Sequence, residues 1–296
     1  MSTGISLADH LAEWHPVPVE QTERITAEPA IALAGLLDCP SSARAAGDAL
    51  PPLWHWIYLL DRPAQHDLGP DGHPAAGPFL PPIPHRRRMF AGGRAECRLP
   101  VQVGDDITRR SELASWTVKQ GQAGELLFVT VRHTLLKGSI AAVTEEQDLV
   151  YRSAPDSAAG ARSASPAPGT STEGEQTAPG WPWCLELIPD PVLLFRFSAL
   201  TYNAHRIHYD LPYATGVEGH AGLVVHGPLL ALLCLELPRR HDPSRAVSRL
   251  SFRARRPVYA GQACTVSGRA AGQDAEMQVT TGDGTRAMTA SATFES

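Results

Sequence analysis

Alternating and continuous apolar positions along the chain predict an α+β protein built from two similar halves. In the first half, four segments predict strands, and short Gly-containing turns separate them; within them, Leu126–Leu135 is a dense run of β-branched and aromatic residues. These segments are Arg94–Val103, Ile107–Gln120, Leu126–Lys137 and Ala141–Tyr151. Ile5–Trp14 and Ile25–Leu37 have helical spacing, and Leu53–Leu60 predicts a short buried helix. The Pro- and Gly-rich stretch Gly69–Pro84 predicts a loop.

The second half repeats this plan with a longer apolar run. Leu193–Ser198 predicts a strand, and Thr201–Gly222 predicts a polar loop. Leu223–Leu237 is long and apolar enough for a buried helix, with Pro228 in its first turn and Pro238 at its end. The strands predicted after it are Ala246–Arg256, Ala263–Ala271, Glu276–Thr281 and Ala287–Glu295. A long apolar helix followed by antiparallel strands indicates a curved sheet wrapped around that helix.

Composition marks a boundary between the two halves. Ser153–Gly180 consists largely of Ser, Ala, Gly, Pro and Thr, which is typical of a flexible linker. We therefore expect a first domain at 1–152, a linker at 153–180 and a second domain at 181–296.

Charge and cysteine usage narrow the class of protein. A net charge of −5 leaves no broad excess of basic residues for nucleic acid. Met1–Pro16 carries charged residues and lacks the apolar core of a secretory signal, and no stretch is apolar enough to span a membrane. Five cysteines are dispersed singly, without metal-type spacing, as expected for reduced thiols. A soluble, cytoplasmic protein is predicted.

Candidate chemistry is concentrated in two neighbouring segments. Tyr202–Asp210 contains two His, two Tyr, one Arg, one Asn and one Asp, and it precedes the predicted buried helix. Gly227 stands where that helix begins, so free backbone N–H groups there could bind an acyl carbonyl oxygen. A polar surface loop, a tight turn at Gly227 and a core role for His226 are the structural alternatives.

Taken together, these segments closely resemble the MaoC-like hot-dog hydratases. The resemblance lies in Phe195–Asp210, Glu218–Pro228, Leu80–Gly93 and Glu146–Arg152. The nearest branch is similar to the mesaconyl-C4-CoA and itaconyl-CoA hydratases and to the mitochondrial type 2 3-hydroxyacyl-thioester dehydratases. It implies a double hot-dog fold, with the catalytic segment in the second half and a first half that shapes the acyl and CoA tunnel.

The resemblance includes one departure at the catalytic segment. The wider family has Asp, then Asn-Pro two residues later, then His. When the segments are aligned on His208, Asn203 takes the place of the Asp, and His205-Arg206 takes the place of Asn-Pro. The nearer branch shares this replacement, which leaves open the acid/base partner of His208. Asp210 is one candidate, and a turn or helix cap is its structural alternative.

Roles can nevertheless be assigned as expectations. The catalytic residues are expected to be His208 as the base for water, Asn203 as an orienting group and Gly227 as the N–H donor to the thioester carbonyl. Arg206 is expected to hold a second anionic group of the substrate, and Arg86–Arg88 the CoA phosphates. The predicted substrate-binding residues are Tyr202, His205, Arg206, Asp210, Val225, His226, Arg86, Arg87 and Arg88.

No cofactor and no metal are predicted, because no nucleotide loop or HExxH pattern is present. His205 and His208 are three residues apart, as in some metal sites, but the sequence offers no evident third ligand. The predicted partner is an acyl-CoA or acyl carrier protein thioester, with a homodimer among the open oligomeric states. A hot-dog thioesterase and a non-catalytic acyl-thioester binding module are the rival functions.

Overall fold

The computed structural model describes residues 6–39, 43–121, 124–153 and 181–295. The described residues form a single large sheet, several helices and short 3₁₀ turns. The α-helices are α1 (Leu7–His10), α2 (Ala27–Leu36), α3 (Pro191–Leu200), α4 (Leu211–Gly216) and α5 (Gly227–His241). The strands are β1 (Val19–Arg24), β2 (Arg86–Cys97), β3 (Asp106–Gly121), β4 (Gly124–Lys137), β5 (Ile140–Ser153), β6 (Trp183–Leu187), β7 (Val247–Ala254), β8 (Cys264–Ala271), β9 (Asp274–Thr281) and β10 (Arg286–Phe294).

The ten strands lie in one antiparallel sheet in the order β1-β3-β4-β5-β2-β7-β10-β9-β8-β6. Strands of the first half occupy one side of this order and strands of the second half the other. The halves meet where β2 pairs with β7, for example at Gly93 opposite Phe252. Backbone hydrogen bonds therefore continue across the junction, and a residue of β2 can lie beside elements of the second half.

The long helix α5 fills the core of the second half. Every residue from Leu229 to Pro238 is buried, and the helix packs against β8, β9 and β10. The predicted end at Pro238 is wrong, because α5 continues to His241. The last turn is held by Glu236, which pairs with Arg239 and Arg240, and by the N–H of residue 242, which donates to the carbonyl of Pro238.

The segment Leu193–Ser198 is helical, so its prediction as a strand is wrong. Asp190 caps α3 by accepting a hydrogen bond from the Leu193 N–H at 2.7 Å, and Pro191 occupies the first turn. The buried positions are Leu194, Phe197 and Ser198, which have helical spacing. Exposed apolar side chains lie between these buried positions, so the sequence shows a continuous apolar run instead of a helical pattern. The edge strand of this half is β6, which the sequence pattern did not predict.

The other predictions agree with the structure in type and differ in extent. Apart from Leu193–Ser198, eight strands were predicted, and all eight are present as β2–β5 and β7–β10. The helix predicted at Ile5–Trp14 is reduced to α1, and the buried segment at Leu53–Leu60 forms a 3₁₀ turn at Trp54–Ile57. The predicted polar loop contains α4. Except for Ser153 at the end of β5, the predicted linker lies outside the described residues. No helix among the described residues is long and apolar enough to cross a membrane.

Candidate active site

Four histidine rings form a row in front of α5. The ring centroids of His73 and His205 are 4.1 Å apart, those of His205 and His208 are 5.4 Å apart, and those of His208 and His226 are 3.6 Å apart. His73 comes from the first half and the other three come from the second. The row therefore joins the two predicted catalytic segments and adds a ring that the sequence analysis did not select.

His208 is held as a neutral imidazole. It ends a 3₁₀ turn at Arg206–His208, and its Nδ1 donates to the carbonyl oxygen of Val224 at 2.7 Å. This bond leaves Nε2 without a proton, so Nε2 can accept one. Burial, with His226 stacked on the ring, holds the pKa of His208 well below its usual range. The imidazole is consequently uncharged at neutral pH.

His226 lies directly before the helix and is fully buried. Its Nε2 is 2.9 Å from the hydroxyl of Ser198 on α3. Its Nδ1 is buried and has no hydrogen-bond partner among the described residues. Burial lowers the pKa of His226 to about 3. This buried ring nitrogen belongs to a residue that stacks on His208 and directly precedes α5, and it is a polar group that a bound substrate could satisfy.

Gly227 is the first residue of α5, as the sequence predicts. Its surroundings show why a larger residue does not fit. A Cβ at this position would lie 2.8 Å from Cδ1 of Phe90, which comes from β2 of the first half. Phe90 in turn stacks on Phe252, with ring centroids 5.7 Å apart. The first half thus covers the helix N-terminus with an aromatic side chain.

A loop of the first half is docked on the segment Tyr202–Asp210. The carbonyl of Asp71 accepts from the N–H of Arg206 at 2.9 Å. Gly72 has a φ of +88°, and a Cβ there would lie 1.9 Å from the carbonyl oxygen of Ala204, so only glycine permits this approach. The Asp71 carboxylate accepts from Nδ1 of His73 at 3.0 Å. In the sequence, these residues fall within the predicted loop Gly69–Pro84, where the tripeptide Asp-Gly-His places a carboxylate close to a histidine.

Arg206 and Asp210 bind each other. Nε and Nη2 of Arg206 donate to one Asp210 oxygen at 2.9 and 2.7 Å, and Nη1 donates to the carbonyl of Pro70 at 3.0 Å. The other Asp210 oxygen caps α4 by accepting from the N–H of Tyr213 at 3.0 Å. Arg206 therefore joins the two halves, and Asp210 has the position of a helix cap.

The remaining predicted residues of the segment have mixed surroundings. Asn203 accepts from the His205 N–H at 3.0 Å and so shapes the loop that presents this histidine. Val225 is buried, and its N–H donates to Val258. Tyr202 is exposed. Glu218, for which no role was predicted, has its carboxylate 3.9 Å from Nε2 of His205.

The three arginines of β2 differ in their partners. Arg86 donates to the carbonyls of Pro81 and Ala75, so it holds the Pro-rich loop. Arg87 donates to the carbonyl of Val217 at 3.1 Å and reaches the second half. Arg88 lies directly opposite Tyr151 in the sheet, and the Tyr151 hydroxyl is buried without a hydrogen-bond partner in the described chain.

One set of residues brings three potential metal-binding atoms together. Donor atoms of Asp71, His73 and His205 all lie within 4.8 Å of one another. The sequence offered no evident third ligand beside His205 and His208. In the structure, the two groups beside His205 are Asp71 and His73 of the first half, and His208 is not part of the set. The hydrogen bond between Asp71 and His73 accounts for two of the three groups without an ion. Absence of a metal stays a prediction.

Comparisons with known proteins indicate the family and the fold of this chain. The profile of the hydroxyacyl-thioester dehydratase type 2 family matches residues 53–260. A mesaconyl-C(4)-CoA hydratase of Chloroflexus aurantiacus is 41% identical over 286 residues, which cover 97% of this chain and 98% of the relative. A MaoC-like dehydratase from Phytophthora capsici superimposes with a TM-score of 0.65 at 11% identity, over 97% of this chain and 98% of that one.

The fold prediction is also confirmed. A Mycobacterium tuberculosis protein with a double hotdog fold gives a TM-score of 0.55 at 15% identity and covers 99% of both chains. The family match at residues 53–260 includes all four histidines of the row. The chain therefore belongs to the hydroxyacyl-thioester dehydratase type 2 family and is a hydro-lyase of the hydratase/dehydratase class.

Proposed function

We propose that this enzyme adds water reversibly to the conjugated double bond of a short dicarboxylic acyl-CoA thioester, with His208 as the base. The observation that carries the proposal is the bond from His208 Nδ1 to Val224, which leaves a buried, neutral Nε2 close to the start of α5. The Chloroflexus relative, named for mesaconyl-C(4)-CoA, supports a substrate of this class.

The chemistry follows from the positions of these groups. The thioester carbonyl accepts from backbone N–H groups in the first turn of α5, beginning at Gly227, where the helix dipole also favours negative charge. This interaction draws electrons from the double bond and stabilises the enolate. Nε2 of His208 removes a proton from water, whose oxygen attacks the β-carbon.

We assign the binding of the substrate's free carboxylate to Arg88. Arg206, the residue expected from the sequence, already donates three hydrogen bonds within the protein. Arg88 lies two residues from Phe90 on the same face of β2, roughly 7 Å along the strand. Because Phe90 touches the Gly227 position, a short diacyl chain bound there would direct its free carboxylate toward Arg88. A cytoplasmic location is part of the proposal, supported by five unpaired cysteines.

The test measures water addition to mesaconyl-, itaconyl- and crotonyl-CoA by mass. We expect hydration by the wild type and a loss of about 10²-fold or more in His208→Ala. Arg88→Gln should raise the KM for the two diacyl substrates and leave crotonyl-CoA unaffected, whereas the control Arg253→Gln should change neither. Release of free CoA with the double bond left intact would refute hydration and indicate a thioesterase. Tight binding without turnover would indicate a binding module.

A further inference from the structure

The site described so far has a base for water but no group for the carbon that receives the other proton. Hydration places a hydroxyl on the β-carbon and a hydrogen on the α-carbon. The attacking water therefore loses a proton, and the α-carbon gains one. Asn203 cannot supply this group, because a side-chain amide does not act as an acid or base near neutral pH and its oxygen is occupied by the His205 N–H. A second acid/base group must therefore come from elsewhere in the fold.

Among the described residues beside the histidine row, the Asp71–His73 pair has the geometry of such a group. Asp71 Oδ2 and His73 Nδ1 are 3.0 Å apart, so the carboxylate orients the ring and leaves Nε2 free to accept a proton. The two side chains are only 24% and 15% exposed. Burial lowers the pKa of His73 to about 4, partly offset by the hydrogen bond to Asp71, which makes the ring a neutral base at neutral pH.

The loop that carries this pair is fixed against the catalytic segment. Gly72, between the two residues, contacts the Ala204 carbonyl so closely that a Cβ cannot be accommodated. The Arg206 N–H donates to Asp71, and Arg206 Nη1 donates to Pro70. This docking fixes the backbone at Pro70, Asp71 and Gly72. It places His73 against His205, which lies between His73 and His208.

We propose that His73, oriented by Asp71, is the second catalytic acid/base of the enzyme and exchanges the proton on the substrate α-carbon. This inference rests on the proposed hydration. In the hydration direction, His208 takes a proton from water and the hydroxide oxygen bonds to the β-carbon. The double-bond electrons form the enolate. His73 takes a proton from solvent and delivers it to the α-carbon, while the proton on His208 returns to solvent. The enzyme returns to its starting charge, and one water has been added.

Two reactions separate the roles of the two histidines. The first is hydration of the best enoyl-CoA substrate. The second is exchange of the α-hydrogens of a saturated thioester, succinyl-CoA or butyryl-CoA, for deuterium in D₂O, which mass spectrometry detects without any water addition. Exchange needs the enolate site and the α-carbon base but not the base for water. His208→Ala should therefore lose hydration and retain exchange.

His73→Ala should lose both reactions by about 10²-fold or more, and added imidazole should restore part of the exchange. His73→Gln and Asp71→Asn should lower kcat more than they raise KM. The matched control is His66→Ala, because His66 and Asp67 form a similar pair, 3.6 Å apart, that is exposed on the surface. This variant should retain both rates. Circular dichroism and urea unfolding verify that each variant is folded.

Three outcomes would overturn the proposal. Hydration and exchange at wild-type rates in His73→Ala would show that another group handles the α-carbon. Loss of exchange in His208→Ala with full exchange in His73→Ala would reverse the roles. Loss of wild-type activity with a chelator, restored by Zn²⁺, would make Asp71, His73 and His205 a metal site instead. If the wild type hydrates no thioester, the proposed function fails, whatever His73 does in the exchange reaction.

Discussion

Replacing Gly227 with Ala tests how the first half controls the start of α5. The added Cβ would lie 2.8 Å from Cδ1 of Phe90, whereas carbon atoms make favourable contacts at about 3.5–4.0 Å. The Phe90 ring must therefore shift by about 0.7 Å or more. Its neighbours oppose this shift, since Phe90 also packs on Phe252 and against Trp56.

The magnitude follows from two opposing effects. Extra volume in a well-packed core costs about 1–3 kcal/mol. Alanine is a better helix former than glycine by up to about 1 kcal/mol. We expect Gly227→Ala to lower the free energy of unfolding by about 1–2 kcal/mol and to reduce hydratase activity, because the same methyl group stands at the proposed carbonyl site.

Urea unfolding of four proteins gives the measurement. These are the wild type, Gly227→Ala, Phe90→Leu and the double variant. Leucine removes the ring atoms near the new methyl group, so the cost of Gly227→Ala should nearly vanish in the Phe90→Leu background, with a coupling energy of about 1–2 kcal/mol. Gly216→Ala is the control, because a Cβ at Gly216 would meet nothing within 4 Å. A Gly227→Ala protein as stable as the wild type, or full additivity, would refute the packing argument.

Three further predictions concern stability. Burial lowers the pKa of His226 to about 3, below the value of about 6.5 expected in the unfolded chain, so the unfolded state binds more protons in between. The stability that neutral His226 contributes should therefore fall by about 2 kcal/mol from pH 7 to 5, and the loss over this range should be about 2 kcal/mol smaller in His226→Gln than in the wild type, as urea unfolding would show. Glu145→Ala should cost about 3 kcal/mol, because this buried carboxylate accepts from His55 and Trp56, whereas Glu276→Ala at an exposed pair should cost less than about 1 kcal/mol; equal costs would contradict this. Asp190→Ala removes the cap of α3 and should lower the thermal midpoint by an amount corresponding to about 1 kcal/mol, and an unchanged midpoint would contradict a capping role.

The local sequence pattern predicted the structure correctly where one physical effect dominates. The strands of both halves alternate or run apolar between Gly-containing turns, so β2–β5 and β7–β10 could be recognised from the sequence. The helix α5 is apolar on all sides, which is typical of a helix enclosed by a sheet. His208 and Gly227 could be selected because a cluster of titratable residues preceded a helix start.

Pattern failed where tertiary contacts decide the outcome. Leu193–Ser198 is apolar enough for a strand, but the cap at Asp190 and the packing of Leu194 and Phe197 favour a helix. At Pro238 one lost backbone hydrogen bond is outweighed by burial and by the ion pairs of Glu236 at the end of α5.

The sequence by itself determined the fold class, the family resemblance and the half that carries His208. Only the tertiary structure brought Asp71 and His73 beside His205, because more than 130 intervening residues separate them along the chain and no local period connects them. It also brought the Pro70 carbonyl to Arg206 and left Arg88 as the candidate anion ligand. A side chain's partner depends on which surfaces the folded sheet brings together, and that information is distributed over the whole chain.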